Sequence, residues 1–399
     1  MSRNRRPITF ASLNLLPTLL MILLLVQPSS SLDSGRFIHS AVANSGASAA
    51  FYVNPAGSDA ADGSASAPWA TIQHAADAAR PGTIVHVAPG TYMEAIKTRA
   101  SGTPDARITF LSQTKWGARI IALNSDSAWE NRGDYVDIEG FDITGDGRLG
   151  ILNLASFVRI MGNHVHHIAS KCSNDGGAGI DNGNYGANDN DIIGNVVHDI
   201  GDPAVMCKGI QGIYHSNLRG HILSNISYRN NAWGIHLWHA ANNVVISNNL
   251  VFQNGEGGIV VGDGDSPGGV TDNNTTVSNN IVMDHNSTWG YGIAILEEGY
   301  TGRGNKYLNN LIWKNNRGIV LQNGLLAAGT INADPRLVDY RADGTGDYHL
   351  SPSSPAIAAG TLIGAPRIDL DGRTRPTTMP PDIGPYQYGT GQAVWPWTY

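Results

Sequence analysis

Histidine, tryptophan and aspartate recur just after Gly-Ile pairs in the middle of the chain. In the stretch GIHLWHAANNVVISNNLVFQNGEGGIVVGDGD, the first pair is followed by His236, Trp238 and His239, and the second by Asp263. An imidazole can transfer protons near neutral pH, a carboxylate can accept a proton, and an indole can stack on a flat ligand. These side chains can act together only if the fold brings successive repeats to one face.

A phrase built on asparagine recurs and defines the repeat. It reads GNHVHHI, GNVVHDI, SNISYRN, NNLVFQN, NNIVMDH and NNLIWKN, and its asparagines are Asn163, Asn195, Asn225, Asn249, Asn280 and Asn310. The steps between them are 32, 30, 24, 31 and 30 residues. Between these phrases a Gly-Ile pair recurs at Gly179-Ile180, Gly212-Ile213, Gly234-Ile235, Gly258-Ile259, Gly292-Ile293 and Gly318-Ile319. A unit of this size cannot bury its own apolar face, so it must stack on its neighbours.

The repeats predict an all-β fold, a right-handed parallel β-helix. Their strand phrases are short, their turns contain Gly and Asn, which tolerate left-handed backbone, and the repeat length varies as loops of a coil would allow. A propeller blade would need about 40 residues and four strands, and leucine-rich repeats would need regularly spaced leucines. We expect the recurring asparagines to be scaffold residues that hydrogen-bond along the axis at a tight bend.

The two ends of the chain differ from the repeats. Residues 1–50 are predicted to be a signal peptide and flexible leader, because arginines precede an apolar run over residues 13–26; an uncleaved membrane anchor is the alternative. Residues 51–330 are predicted to form the β-helix, capped at its N-terminus by a short helix after Thr71. Residues 331–399 interrupt the repeat, are rich in Pro, Gly and Asp, and are predicted to be an irregular C-terminal capping module.

Composition and charge narrow the function classes. The chain has 399 residues, is 41% hydrophobic and carries a net charge of -7, so it can bury a large core and has no basic surface for nucleic acid. We expect a secreted or cell-surface monomer that does not contact a membrane once its signal peptide is removed. In an exported protein Cys172 and Cys207 are expected to form a disulfide, with two free buried thiols as the alternative.

Alternation along the strands predicts which side chains face outward. If the isoleucines of the Gly-Ile pairs point into the core, the next residue and the one two further on point out. This places Asp181, Tyr214, Ser216, His236 and Trp238 on one exposed face, with His239, Asp263 and Glu297 just beyond. Successive coils lie about 4.8 Å apart. We therefore predict a polar strip for an extended polymer, with Trp238, Tyr214, Asp263 and Glu297 as substrate-binding residues.

Three segments resemble secreted parallel β-helix proteins of the pectate-lyase-like superfamily. The opening FYVNPAGSDAADGSASAPWATIQHAADAARPGTIVHVAPGTYME, the coils of the form GI...NVVISNNLVFQN and the tail DIGPYQYG carry this resemblance over roughly residues 51–390. It implies the fold directly. It implies activity less directly, because the superfamily contains lyases, hydrolases, epimerases and proteins without known activity.

SNDGGAGIDNG followed by VMCKGIQGI is similar to family 9 polysaccharide lyases, which bind calcium through an Asp-rich stretch and use a lysine as base. The matching positions are Asn174, Asp175 and Asp181 for calcium and Lys208 for the base. The match departs from the family in that Asn174 replaces an aspartate, two extra residues precede Asp181, and no ligand from the preceding coil can be placed. The resemblance thus implies calcium-assisted β-elimination on a uronate-containing polysaccharide.

The other steps of such an elimination have candidates as well. His215, His236 and His239 are predicted to assist as acid or base. Two other interpretations stay open. A glycoside hydrolase would need two carboxylates about 5 to 9.5 Å apart, which Asp263 with Asp265 or with Glu297 could supply. The second interpretation is a non-catalytic glycan-binding or surface protein, in which GDGDSPGGVTDNN binds calcium.

Overall fold

The computed structural model describes residues 49–173, 175–205, 207–264, 272–286, 290–389 and 393–397. The predicted leader, apart from its last residues, and Asn174 and Asp265 lie outside the described residues. The described part is almost entirely strand with short turns. It contains no helix of the length and apolar character needed to cross a bilayer.

The first elements are β1 (Ala50–Val53), α1 (Ile72–Ala78), β2 (Ile84–Val87), β3 (Gly90–Tyr92), β4 (Ile96–Thr98), β5 (Ile108–Ser112), β6 (Ala118–Ala122), β7 (Ser127–Asn131), β8 (Val136–Glu139), β9 (Asp142–Gly145) and β10 (Leu149–Asn153). The next are β11 (Arg159–Met161), β12 (His164–Ile168), β13 (Gly177–Asn182), β14 (Asn188–Ile193), β15 (Val196–Ile200), β16 (Ile210–His215), β17 (Leu218–Leu223), β18 (Ile226–Tyr228), β19 (Trp233–Leu237), β20 (Asn242–Ser247) and β21 (Leu250–Phe252). The last are β22 (Gly257–Asp263), β23 (Thr276–Ser278), β24 (Ile281–Met283), β25 (Ile293–Gly299), β26 (Lys306–Leu308), β27 (Leu311–Trp313), β28 (Arg317–Val320), β29 (Ile331–Asn332), β30 (Leu337–Asp339) and β31 (Asp347–Leu350).

All but the last two strands form three long parallel sheets, in which a strand generally pairs with the strand three further along the chain. Sheet 1 has the order β1-β2-β5-β8-β11-β14-β17-β20-β23-β26. Sheet 2 has the order β4-β7-β10-β13-β16-β19-β22-β25-β28, and sheet 3 has the order β3-β6-β9-β12-β15-β18-β21-β24-β27-β29. One coil contributes one strand to each sheet, so the prediction of an all-β right-handed parallel β-helix is confirmed.

The Gly-Ile pairs mark the corner where the chain enters sheet 2. Ile213, Ile235 and Ile259 are paired across the sheet and are fully buried. A Cβ on Gly234 would lie 2.3 Å from the Val251 side chain, so only glycine fits there. One predicted pair is out of register: Ile259 pairs with Ile295, not with the isoleucine of the Gly292-Ile293 pair. The structural repeat there lies two residues later than the sequence repeat.

The asparagines form the predicted ladder inside the coil. The side-chain amide Nδ2 of each donates to Oδ1 of the next at 3.1, 3.0, 3.0, 2.8 and 2.9 Å, and all are fully buried. Each amide group also bonds backbone of neighbouring coils, as Asn225 does with Ile192 O at 2.9 Å. The predicted scaffold role is therefore confirmed.

A helix packs at the start of the coil, and the C-terminal tail packs along its side. Helix α1 begins after Thr71, whose hydroxyl accepts from His74 N at 3.2 Å, and it buries Ile72, Ala75 and Ala76. At the other end β30 and β31 form an antiparallel pair, and the rest of the tail is irregular. Tail side chains pack against the outside of the coil in an apolar cluster that joins Trp397 and Leu350 to Met161 and Ile193.

The two cysteines are bonded, which confirms the expected disulfide. Cys172 follows β12 and Cys207 precedes β16, so the bridge ties together the connections of neighbouring coils before sheet 2. The segments on either side of it contribute Asp175 and Lys208 to the groove described next.

Candidate active-site groove

The outer surface of sheet 2 presents one column of side chains across successive coils. Leu152 pairs with Asp181, Asp181 with Tyr214, Tyr214 with His236, and His236 with Val260. Neighbours in a parallel sheet lie about 4.8 Å apart, so these residues are adjacent although they are far apart in the chain. The predicted alignment of Asp181, Tyr214 and His236 is therefore confirmed.

A groove of about 650 Å³ runs over this column. Its lining includes Arg148, Asp175, Asp181, Lys208, Tyr214, Tyr185, Trp238, His236 and His239. The strip predicted from the sequence is thus a concave surface that joins acidic, basic and aromatic side chains. Its size suits a few sugar rings rather than a single small ion.

Asp181 is the carboxyl group at the centre of the groove. Its Oδ1 has no hydrogen-bond partner among the described residues. Burial raises the pKa of Asp181 to about 7, and Asp126 adds to this rise while the positive charge of Arg148 opposes it. A carboxyl group that titrates near neutral pH and has an unpaired oxygen can exchange a proton with a ligand.

Arg148 is a cation of the groove that sequence reasoning missed. Its guanidinium donates to both carboxylate oxygens of Asp126, at 3.2 and 3.1 Å, and to the backbone oxygen of Asp175 at 2.8 Å. The sequence contained a signal for the position of Arg148, because a Gly-Ile pair recurs at Gly150-Ile151, two residues after Arg148 and one coil before Gly179-Ile180. Ile151 indeed pairs with Ile180.

The described donors do not fit a calcium site. Calcium takes about six to eight oxygen ligands. Among the described residues, neither Asp175 nor Asp181 belongs to a group of three or more acidic, histidine or cysteine side chains whose ligand atoms lie within 4.8 Å of one another. The Asp175 backbone oxygen instead accepts a bond from the Arg148 guanidinium. The predicted ligand Asn174 lies outside the described residues.

Lys208 lies at the rim of the groove with its amine directed away from the disulfide toward later coils. Its side chain is 66% exposed, and its Nζ is 4.0 Å from Glu256 Oε1. The same Nζ lies 5.2 Å from the centre of the Tyr291 ring.

His236 and His239 are both uncharged near neutral pH. Burial lowers the pKa of His236 to about 3, and neither of its ring nitrogens has a hydrogen-bond partner among the described residues. Its ring contacts Tyr214 and Trp238 edge-on, with centroids 5.4 and 5.2 Å apart. Burial also lowers the pKa of His239, whose Nε2 lies 2.8 Å from the Tyr185 hydroxyl.

Tyr214 and Trp238 supply the aromatic surface. Burial raises the pKa of Tyr214 far above its ordinary value, and the nearby charge of Asp181 raises it further, so its hydroxyl keeps its proton. The indole of Trp238 lies over the backbone of the next coil. A Cβ on Gly262 would meet it at 2.7 Å and a Cβ on Gly264 at 2.3 Å. These glycines let the indole lie flat at the edge of the groove.

Two predicted site residues are buried away from the groove, and both predictions are wrong. His215 has no exposed surface and its Nδ1 lies 3.1 Å from Asn182 Nδ2 inside the coil, so it cannot act as acid or base on a glycan. Glu297 is 1% exposed, and its Oε1 accepts from Asn305 at 3.0 Å and from Tyr307 at 2.8 Å. Its side chain is hydrogen-bonded inside the coil and cannot bind substrate.

Asp263 does not join the groove either. It is 3% exposed, burial raises its pKa, and it is absent from the groove lining. Its partner on the next coil is Gly299, whereas Glu297 pairs with Val261. The predicted Asp263 and Glu297 pair of a hydrolase is therefore not formed, and Asp265 lies outside the described residues.

The chain is similar to known β-helix proteins. The family described as Pel9A-like, right-handed β-helix region matches residues 51–321, more than half of the chain. The crystal structure of pectate lyase Pel9A superposes with a TM-score of 0.56 at 20% identity, covering 85% of this chain and 96% of that one. An alginate lyase from Paenibacillus sp. str. FPU-7 gives a TM-score of 0.49 at 20% identity, with coverages of 66% and 96%.

A curated relative matches only a short segment. The uncharacterized protein YwoF of Bacillus subtilis (strain 168) is 42% identical over 59 residues, which are 15% of this chain and 13% of that protein. The similarity to solved structures supports the fold alone, whereas the family match spans the coils that build the groove. This chain therefore belongs to the Pel9A-like right-handed β-helix family.

Proposed function

We propose that this protein is a polysaccharide lyase that cleaves a uronate-containing glycan by β-elimination in the groove on sheet 2. The observation that carries the proposal is that Arg148, Asp181 and Lys208 line one groove. Two cations there attract an anionic polymer, and a carboxyl group without a partner on one oxygen lies between aromatic side chains. The family and its lyase relatives support the same reaction class.

The elimination needs three groups, and the groove offers candidates for each. The positive charge of Arg148 offsets the substrate carboxylate and so stabilises the anion formed when the neighbouring C–H bond breaks. The proton goes to a base, for which we propose Lys208. The electron pair forms the C=C bond, the C–O bond to the leaving sugar breaks, and the Tyr214 hydroxyl, which keeps its proton at neutral pH, supplies a proton to the leaving oxygen.

Asp181 is the alternative base, favoured by its own observation. Its pKa of about 7 and its unpartnered Oδ1 suit proton abstraction near neutral pH. Lys208, the base that the resemblance implies, lies with its Nζ 4.0 Å from Glu256 Oε1. Substitution of Asp181 and of Lys208 therefore tests the two assignments separately.

Calcium, expected from the resemblance, takes no part in the steps above, and Arg148 supplies the cation in its place.

We also propose that the protein is exported. The Cys172–Cys207 disulfide supports this, because disulfides persist in oxidising compartments.

The decisive experiment is ultraviolet absorbance during incubation with a panel of uronate polymers, since only elimination creates an unsaturated uronate. Wild type, Arg148→Gln, Lys208→Ala and Asp181→Asn are compared, each with calcium and with chelator. Lys306→Ala, an exposed lysine on sheet 1, is the matched control. We expect absorbance with wild type and the control, and at least a 100-fold loss with Arg148→Gln.

The other outcomes of this experiment would overturn specific parts of the proposed function. New reducing ends without absorbance would replace the lyase by a hydrolase, and binding without cleavage would leave a glycan-binding protein. Loss of activity in chelator, restored by calcium, would overturn the assignment of Arg148 as the sole cation and support the calcium expected from the sequence.

A further inference from the structure

Histidines crowd the outer surface of sheet 3, on a different sheet from the groove. His164 and His166 lie on β12, and Val165 between them is buried in the core. Asp142 on β9 pairs with His164, and His198 on β15 pairs with His166. The repeat pattern alone marks these phrases as scaffold, although a His-x-His pattern on a strand places both imidazoles on one face.

The nitrogens of these side chains converge on one carboxylate oxygen. Asp142 Oδ1 lies 2.5 Å from His166 Nε2 and 3.5 Å from His164 Nδ1. The potential ligand atoms of these three residues all lie within 4.8 Å of one another. The other oxygen of Asp142 faces Arg119, whose Nε is 3.8 Å from Oδ2. One oxygen is thus held by a cation while the other points at the imidazoles.

A third imidazole, that of His198, lies beside these three residues and is held by a carboxylate. His198 Nε2 is 2.8 Å from His164 Nε2, and His198 Nδ1 is 2.6 Å from Asp199 Oδ2. Arg229 Nε in turn donates to Asp199 Oδ1 at 2.8 Å. Metal-binding histidines are typically oriented in this way, with the second ring nitrogen donating to a carboxylate.

We propose that Asp142, His164 and His166 bind a divalent transition-metal ion of the zinc class, with His198 facing the second ring nitrogen of His164. Imidazole nitrogen with a single carboxylate oxygen is a donor set that zinc takes, whereas calcium takes oxygen ligands only.

A purely structural explanation accounts for only part of the cluster. The rings of His166, His198, Tyr228 and Phe252 stack in a column along the coil, with centroids 5.2, 4.5 and 4.7 Å apart. This stack explains the orientation of His166 and His198. It does not explain why Asp142 directs one oxygen at two imidazoles, or why His164 directs its Nε2 at another imidazole nitrogen.

The test is metal binding to the untagged full chain after chelator treatment and dialysis. Zinc chloride is titrated by calorimetry, bound zinc is counted by mass spectrometry, and cobalt is added separately to follow its visible absorbance. We expect one zinc per chain and a tetrahedral cobalt spectrum. Asp142→Asn and His166→Ala should raise the zinc Kd at least tenfold. His221→Ala, on sheet 1 and with Asp191 as its carboxylate partner at 2.7 Å, is the control.

Folding is checked on each metal-free variant by circular dichroism and thermal unfolding. Because His166 is buried, His164→Gln serves as a second variant at a partly exposed position. Fewer than about 0.1 equivalents of zinc on the wild type would overturn the proposal. Folded variants that bind zinc as tightly as wild type would overturn it too, and would leave the cluster as an aromatic stack.

Discussion

Asp181 on β13 lies directly opposite Tyr214 on β16, so a carboxyl group and a phenol from neighbouring coils face the same groove. Burial raises the pKa of both side chains, and the charge of Asp181 contributes to the raised pKa of Tyr214. Two side chains held in one register by a parallel sheet are rigidly spaced. Their relationship depends on the backbone ladder and not on a mobile loop.

The pH dependence of cleavage separates the two proposed bases. If Asp181 accepts the proton, it must be ionised, so kcat/KM should rise as the pH increases through about 7 and level off above it. If Asp181 is the base, Asp181→Asn should abolish the limb near 7 and Lys208→Ala should leave it in place. If Lys208 is the base, as we propose, Lys208→Ala should abolish cleavage at every pH. A profile flat from pH 6 to 8 in the wild type would exclude Asp181 as the base.

Gly264 provides a test of the aromatic platform that leaves its indole in place. Replacement by Ala would place a Cβ 2.3 Å from Trp238 Cζ2, so the indole must move. We expect Gly264→Ala to raise KM about tenfold, the equivalent of about 1.4 kcal/mol, with kcat little changed. Trp238→Ala should do the same, whereas Gly318→Ala, where a Cβ would lie 3.4 Å from Ile312, should leave KM unchanged. An unchanged KM in both groove variants would remove Trp238 from the binding surface.

The coil was predictable because its signals are periodic. Stacked asparagines and corner glycines are each required once per coil, so they recur in the chain at the coil length. The outward positions of Asp181, Tyr214 and His236 followed from strand alternation alone. Bonds that link coils, such as those of Arg148 to Asp126 and Asp175, have no periodic signature and needed the structure.

The misplaced site residues follow from strand alternation and from where each strand ends. Strand β19 ends at Leu237, so His239 leaves the alternation and joins outward-facing Trp238 in the lining of the groove. Strand β22 continues to Asp263, which therefore keeps the inward side it shares with Ile259. Where a strand ends depends on tertiary contacts that a single repeat does not encode.

His215 and Glu297 follow the same rule. His215 comes directly after outward Tyr214 and so faces inward. Glu297 lies two residues after Ile295, the true partner of Ile259, and shares its inward side. Isoleucines at both 293 and 295 made the register of this coil ambiguous from the sequence.

The asparagine ladder predicts a large loss of stability for one small deletion. Asn225 Oδ1 accepts from Asn195 N at 2.8 Å and Nδ2 at 3.0 Å, and its own Nδ2 donates to Ile192 O and Asn249 Oδ1. Asn225→Ala leaves these buried partners short of bonds, so we expect the free energy of unfolding to fall by about 3 kcal/mol. Asn332→Ala, at an exposed position of β29, should change it by less than about 0.5 kcal/mol. Equal losses in denaturant unfolding would contradict a special role for the ladder.

Glu139 predicts a pH-dependent stability that a single substitution removes. Burial raises its pKa to about 8, and Asp137 adds to the rise. Between its ordinary pKa near 4.5 and about 8 the folded protein binds a proton that the unfolded chain has released, so this residue makes stability fall as the pH rises through that window. Glu139→Gln cannot ionise and should lack the loss.

We therefore expect Glu139→Gln to be more stable than wild type at pH 8 by about 2 kcal/mol. Each unit by which folding raises the pKa of the carboxyl group corresponds to about 1.4 kcal/mol, and local relaxation offsets part of the total. At pH 5 the difference should nearly vanish, because the carboxyl group is then protonated in the folded protein. The measurement is denaturant unfolding at both pH values, with the exposed Asp105→Asn as control. A constant difference between Glu139→Gln and wild type at the two pH values would show that Glu139 is ionised in the fold, with Arg107 and Arg159 outweighing its burial.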